Sequence, residues 1–232
     1  MKHALDKGAS VTLGGFMLIK RVNIGAAELD DPASAPWQAV RDETVALIQA
    51  PAAMQPTRYI TTKWQNQPYG QTKSVAVKAL HNAQEIAFRL EWLDPTKNEQ
   101  RAENTDFPDA VALLFPLAEN ASLFMGTPEA PVNLWYWRAD HPSRARSDVA
   151  TGIGTSRVVD GESLSARSVH QDGRWSVVIR RALQVQTEAM TAIQFTPGQV
   201  LRSAFAVWDG GNQERAGIKA FSPAWLDLKL EA

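Results

Sequence analysis

The chain has 232 residues, of which 44% are hydrophobic and 21% charged. That composition excludes a largely disordered, collagen-like or coiled-coil protein and permits one sizeable core. Its 24 basic and 25 acidic residues leave a net charge of -1, so no overall field favours polyphosphate and dedicated nucleic-acid binding is not expected. With no cysteine, the chain builds no disulfide, thiolate zinc site, cysteine-held iron–sulfur cluster, covalently attached c-type haem or thiol nucleophile.

The length suits a single all-β domain over residues 1–232. No apolar run approaches the roughly 18 residues of a membrane helix, and the strongest, over 110–118, contains Pro116. An apolar stretch at 11–19 is interrupted by Gly14 and Gly15 and is read as mature protein rather than a signal core. One helix is predicted over 36–48, with Ser34 ahead of it and Trp37, Val40, Thr44 and Leu47 at helical spacing. From about residue 72 the pattern turns to period two. In 85–93, Ile86, Phe88, Leu90 and Trp92 alternate with Ala87, Arg89, Glu91 and Leu93, which predicts a strand with one buried face. Strands are likewise predicted at 74–80, 110–117, 133–139, 175–183, 199–208 and 225–230, and Asp172-Gly173 reads as a hairpin turn. The polar interval 141–173 lacks sustained periodicity and is read as long surface loops. Many short strands with little helix predict a two-sheet antiparallel β-sandwich with a few short helices.

The usual catalytic motifs are missing: no phosphate-cradling glycine loop, serine elbow or helical histidine pair is present. His3, His81, His141 and His170 occur singly, as side chains expected to be solvated or hydrogen-bonded, and the carboxylates are scattered. Two segments stand out. Leu123-Phe124-Met125-Gly126 precedes Pro131-Val132-Asn133-Leu134-Trp135-Tyr136-Trp137. Ala206-Val207-Trp208-Asp209-Gly210-Gly211 runs on through Gly217-Ile218-Lys219-Ala220-Phe221 to Trp225. Each joins a glycine-permitted turn, aromatics and one side chain able to bind a transition metal. Read blandly, Met125 fills a core gap, Lys219 is a solvated charge and the tryptophans pack a sandwich.

With Lys78-Ala79-Leu80-His81-Asn82 and Ile86-Ala87-Phe88-Arg89-Leu90-Glu91-Trp92, these segments resemble the haem b-binding gamma subunits of ethylbenzene dehydrogenase, dimethylsulfide dehydrogenase, chlorate reductase and selenate reductase, over roughly residues 55–230. The resemblance implies one haem b per chain. Its iron would be held by a methionine and a lysine, which match Met125-Gly126 and Gly217-Ile218-Lys219. Met17, Met54 and Met190 lack the aromatic-strand context, although sequence alone leaves Met17 open. Phe124 and Trp135 near Met125, and Ile218 and Phe221 around Lys219, are the expected wall residues. One departure is Ala83 after His81-Asn82, where glycine is expected.

The implied chemistry is consistent. A thioether is a soft neutral ligand that raises haem potentials, and lysine ligates only as a neutral amine, so a dry apolar site must displace its proton. With both axial positions filled, electron transfer is expected and no substrate turnover by this chain alone. The resemblance further implies a periplasmic heterotrimer. Its other members are a catalytic subunit with a molybdenum bis-guanine-dinucleotide cofactor and an iron–sulfur subunit, and a soluble carrier such as a c-type cytochrome would exchange the electrons. From another class comes a carbohydrate-binding β-sandwich module without cofactor, its eight tryptophans offering an exposed platform for sugar rings. A third reading is an assembly protein without cofactor.

Overall fold

The computed structural model describes residues 16–52, 55, 57–161 and 163–232. In chain order these form β1 (Phe16–Arg21), α1 (Ala26–Asp30), α2 (Ala35–Gln38), β2 (Glu43–Ala46), β3 (Ile48–Gln49), α3 (Arg58–Trp64), β4 (Ser74–His81) and β5 (Glu85–Leu93). There follow β6 (Ala110–Pro116), β7 (Val132–Arg138), β8 (Arg144–Ala150), β9 (Arg157–Val158), β10 (Leu164–Gln171), β11 (Arg174–Ala182), β12 (Val200–Trp208), β13 (Ala220–Phe221) and β14 (Leu226–Leu230). The predicted strand at 85–93 is β5 to the residue, and the all-β class holds.

Two details of the expected sandwich differ. Hydrogen bonding runs from β14 through β1, β4, β5, β11, β10, β8, β7 and β6 to β12, and β12 also pairs with β14. The two faces are therefore joined edge to edge into a closed, flattened barrel, which leaves few open strand edges. The ladders are antiparallel except at β1, which runs parallel to both β14 and β4. Asp172-Gly173 does form the tight β10–β11 turn: both residues have positive φ, 53 and 67°, and Gln171 faces Arg174 across it.

The helix expected over 36–48 stops at Gln38. Beyond it, Glu43–Ala46 pairs with Val77 to Ser74, where β-branched Thr44 and Val45 gain ladder hydrogen bonds and cross-strand packing that a surface helix would not provide. The interval 141–173 is likewise no loop. It contains β8, β9 and β10, whose exposed faces carry Arg144, Arg146 and Arg167 instead of a visible apolar stripe. Of the apolar stretch at 11–19, residues 11–15 lie outside the described residues and 16–19 belong to β1.

Inside the barrel, alternate side chains of facing strands interlock. Phe88 of β5 meets Phe115 of β6 and Trp135 of β7 at ring-centroid distances of 5.7 and 5.8 Å. Trp92, Trp137 and Trp175 form a second aromatic knot, with Trp137 and Trp175 at 5.1 Å. Burying each such side chain contributes roughly 1.5–3 kcal/mol before entropy is counted. Period two then dictates what the other faces of these strands do.

Candidate functional site

On the outer face of β8, β7, β6, β12 and β13, the residues between the core positions line up across the ladders. Asp148, Leu134, Leu114 and Ala204 form one row. Arg146, Tyr136, Ala112, Ala206 and Phe221 form the next. Arg138, Ala110 and Trp208 form the third. Alanine at 112 and 206 keeps the middle of this face low, and the loops around it rise as walls. Between floor and walls is a cavity of about 510 Å³, within the range that holds a small molecule or cofactor.

One wall is the 117–131 segment between β6 and β7, closed at its base by Leu117 N–H donating to the Pro131 carbonyl at 3.0 Å. Met125 sits here in the left-handed region at φ 70°, followed by Gly126 at φ 71°. A methionine pays for that conformation, so it persists only where surrounding structure fixes it. The fixing is visible: Gly126 N–H donates to the Ser122 carbonyl at 2.9 Å and Gly152 N–H to the Met125 carbonyl at 2.8 Å. Gly126 is required by space as well as by φ, because a Cβ there would lie 2.8 Å from the Ala130 oxygen. This strained pair places Met125 on the cavity, packed near Leu114, Leu134 and Ala204 at the first row.

The opposite wall is the loop between β12 and β13. Ile218 N–H donates to the Arg215 carbonyl, Gln55 Nε2 to the Gly217 carbonyl and Trp208 Nε1 to the Ala216 carbonyl, at 2.9, 2.9 and 3.0 Å. The Lys219 carbonyl accepts from Ala50 N–H at 3.0 Å. The Lys219 side chain enters the cavity at the third row, its Nζ 4.9 Å from the centre of the Trp208 ring. Among the described residues no carboxylate lies within 4 Å of it, and burial lowers its pKa from the ordinary 10.5 to about 8.

The structure thus brings Met125, Lys219, Phe124 and Phe221 to one cavity. It does not bring Trp135 or Ile218 there. Strand parity turns Trp135 inward, fully buried against Phe88, Phe115 and Phe195, while its neighbours Leu134 and Tyr136 face the cavity. Ile218 points the other way from Lys219 and packs with Trp64 and Tyr69. Met17 is buried in the barrel core and Met190 is exposed on a loop, and Met54 lies outside the described residues. His81, His141 and His170 do not line the cavity. His81 is fully buried, and desolvation lowers its pKa below the usual value. His170 contacts the Asp94 carbonyl and Trp175, and His3 lies outside the described residues.

Sequence reasoning missed the alanine floor, Tyr136, Trp208 and the arginines at the rim. Alternation from Trp135 would have found Leu134 and Tyr136 on the opposite face. The loop residues carry no such signal. Among the described residues the tryptophans form no exposed platform: apart from partly buried Trp225, each is buried.

The donor set suits a flat, largely apolar metallocofactor. It combines one thioether, one amine without a counter-ion and a floor of small apolar side chains, and it lacks cysteine and cavity histidine.

Comparison with known proteins shows the family. The family model described as Ethylbenzene dehydrogenase matches residues 34–155 and 145–220. The chain is 37% identical over 161 residues to chlorate reductase subunit gamma of Ideonella dechloratans, covering 68% of this chain and 66% of that one. It is 30% identical over 193 residues to a Haloferax mediterranei protein named "Putative respiratory nitrate reductase heme subunit ORF7", covering 82% and 65%. The chain therefore spans just under two thirds of the length of both. Among solved structures, a family 9 carbohydrate-binding module from Caldicellulosiruptor kristjanssonii matches with a TM-score of 0.51 at 11% identity, over 94% of this chain and 96% of that one. At that identity the likeness concerns the fold alone.

Proposed function

Because the chain belongs to the ethylbenzene dehydrogenase family, we propose that it is the haem b electron-transfer subunit of a periplasmic molybdenum oxidoreductase complex. It would pass single electrons between an iron–sulfur subunit and a soluble carrier such as a c-type cytochrome. Relatives named as gamma or haem subunits support the coarser statement, a haem electron-transfer subunit of a molybdoenzyme. The observation that carries the finer one is that Met125 and Lys219, remote in sequence, line the same apolar cavity.

When bound, haem b supplies a reversible ferric/ferrous couple. The chain's own residues determine how it is held. Met125 offers a neutral, polarisable sulfur that favours the ferrous state. Lys219 must give up a proton to ligate, and its surroundings already lower its pKa to about 8, so the proton costs far less to remove than from a solvated lysine. Ala112, Ala206, Leu114 and Phe221 exclude water from the floor. Held by both Met125 and Lys219, the group would be closed to substrate, which would favour electron transfer over oxygen chemistry.

Haemin titration into the purified chain tests this. The expected result is stoichiometric uptake with a sharp six-coordinate spectrum, which Met125→Ala and Lys219→Ala each alter in band position and midpoint potential. Failure of the folded chain to bind haemin, or identical spectra and potentials in both variants, overturns the reading.

A further inference from the structure

Four arginines reach the cavity lining, and they are not equivalent. Arg146 donates through Nε and an Nη to Asp148 Oδ2 at 3.0 and 2.8 Å. Arg138 is held in the same two-point way by Asp140. Their charges are neutralised in place. Arg101 and Arg215 also line the cavity, and among the described residues neither has a carboxylate within 4 Å. Both are solvent-exposed and so stand at the mouth. Arg215 is preorganised as well, its guanidinium lying 4.2 Å from the centre of the Phe107 ring.

The adjacent carboxylate does not compensate Arg215. Glu214 is buried, its Oε1 accepting from Gly70 N–H and Asn212 Nδ2 at 2.7 and 3.1 Å and its Oε2 from Asp209 N–H at 3.2 Å. It is turned into the loop. The first row differs. Asp148 is 4% exposed and paired with Arg146, and its Oδ1 is buried without a hydrogen-bond partner, so that corner offers no uncompensated positive charge to a second carboxylate. The cavity is therefore electrostatically uneven: a neutral Arg146–Asp148 pair at β8, an apolar centre, and a mouth with two uncompensated guanidinium groups.

We propose that Arg215, assisted by Arg101, anchors the carboxylate-bearing edge of the cavity's ligand, which on the reading above means the haem propionates. The inference rests on that reading but concerns different residues. Guanidinium–carboxylate pairing is bidentate and charge-assisted, and at an exposed mouth it is weakened by salt. It fixes which edge of an otherwise near-symmetric apolar disc faces solvent.

The test compares haemin with its dimethyl ester, in which both propionates are uncharged, on wild-type chain, Arg215→Gln, the double Arg101→Gln/Arg215→Gln variant and Arg174→Gln as an exposed control outside the cavity. Thermal melts verify that each variant is folded. Wild type should bind haemin about tenfold more tightly than the ester. Arg215→Gln should reduce that preference several-fold, and the double variant should nearly abolish it. Arg174→Gln should keep it, and the Met125- and Lys219-dependent spectrum should survive in all four. An unchanged preference in the double variant, with that spectrum intact, overturns this inference and leaves the haem reading standing. A wild-type chain that binds neither porphyrin overturns both.

Discussion

The rings of Phe124 and Phe221 meet with their centroids 6.0 Å apart and their planes inclined by 51°. Phe124 precedes Met125, and Phe221 follows Lys219 by two positions along the chain, so this contact joins the two walls that carry the candidate ligands. The partners differ in burial: Phe221 is 9% exposed and Phe124 42%. Phe221→Ala should cost about 3 kcal/mol of folding stability, as for a buried aromatic, whereas Phe124→Ala should cost under about 1 kcal/mol. Both should accelerate haem loss. Urea denaturation of the haem-free chain together with haemin transfer to a scavenger globin separates the effects. A Phe124→Ala chain with unchanged haem release would deny the contact its role in the wall.

Gly126 makes a sharper test of how Met125 is presented. A Cβ at 126 would meet three backbone atoms at 2.8 to 3.1 Å, at a φ of +71°. Gly126→Ala should therefore destabilise the chain by about 1–3 kcal/mol. It should also displace Met125, giving the altered haem spectrum expected of Met125→Ala. Gly154→Ala is the comparison, since that glycine also has positive φ, 81°, but its Cβ would meet nothing within 4 Å. It should cost backbone strain and leave the spectrum alone.

Ala83 adopts φ 70°, the left-handed conformation for which glycine is suited, and the family resemblance anticipates glycine there. Asn82 builds the surrounding turn, its Oδ1 accepting from Gln84 and Glu85 N–H at 3.0 and 2.8 Å. Left-handed geometry costs an L-residue roughly 1–2 kcal/mol, and glycine returns part of that gain through unfolded-chain entropy. Ala83→Gly should thus stabilise the chain by about 0.5–1 kcal/mol, read as a higher urea midpoint at constant m-value. A lower midpoint would mean that the turn is not strained.

What the sequence disclosed follows from where periodicity lives. In β5 and β6 one face is wholly apolar, and in β4, β11 and β12 a single polar residue, His81, Arg181 or Ser203, interrupts it, so alternation shows both the strand and its inward side. β8 and β10 show no sustained alternation because they form a polar part of the barrel, where the outward residues include Arg144, Arg146 and Arg167 and the inward run is broken by Ser147, Ser168 and His170. Residues 43–46 read as helix because Val40, Thr44 and Leu47 fall at helical spacing, while the inward side of this strand shows only Val45, followed by Leu47, too short a run for period two to register. Met125 and Lys219 were legible only through local context that resembles a family. Strand parity turns Trp135 inward, and Ile218 lies in the β12–β13 loop packed on Trp64 and Tyr69, so nearness in sequence to Met125 and Lys219 brings neither to the cavity. The alanine floor and the unpaired Arg215 depend on long-range pairing, to which no local pattern points.

In the β5–β6 and β12–β13 loops, Asp94, Asp109 and Asp209 each place a carboxylate oxygen within 4.8 Å of the others. Burial first, and the neighbouring Asp109 and Asp209 charges second, push the pKa of Asp94 up to about 7. In the unfolded chain it titrates near ~3.9. Between those values the folded state binds the extra proton, so this group's contribution to stability is full below about pH 4, declines as pH rises towards 7 and is flat above. Asp94→Asn should remove that decline and be more stable than wild type at pH 8. Urea midpoints at pH 5 and pH 8, with a chelator present, check it. An equal pH dependence in the two chains would remove Asp94 as its source.

The lysine that makes the site chemically unusual should also weaken the haem-free chain. Lys219 has no carboxylate within reach among the described residues, and burial holds its pKa near 8 against an ordinary 10.5. Below pH 8 it is protonated whether folded or unfolded, and folding bears the desolvation of that charge. Between about pH 8 and 10 the folded form sheds the proton while the unfolded chain keeps it, so this group's contribution to stability rises with pH. Lys219→Leu removes the charge and supplies no replacement ligand. The variant should be more stable than wild type by on the order of 1 kcal/mol at pH 7, with the advantage narrowing towards pH 10, while haem binding weakens and the six-coordinate spectrum is lost. Opposite movement of stability and haem affinity is the signature of a residue kept for ligation. A Lys219→Leu chain that is less stable and binds haem normally would make Lys219 a packing residue after all.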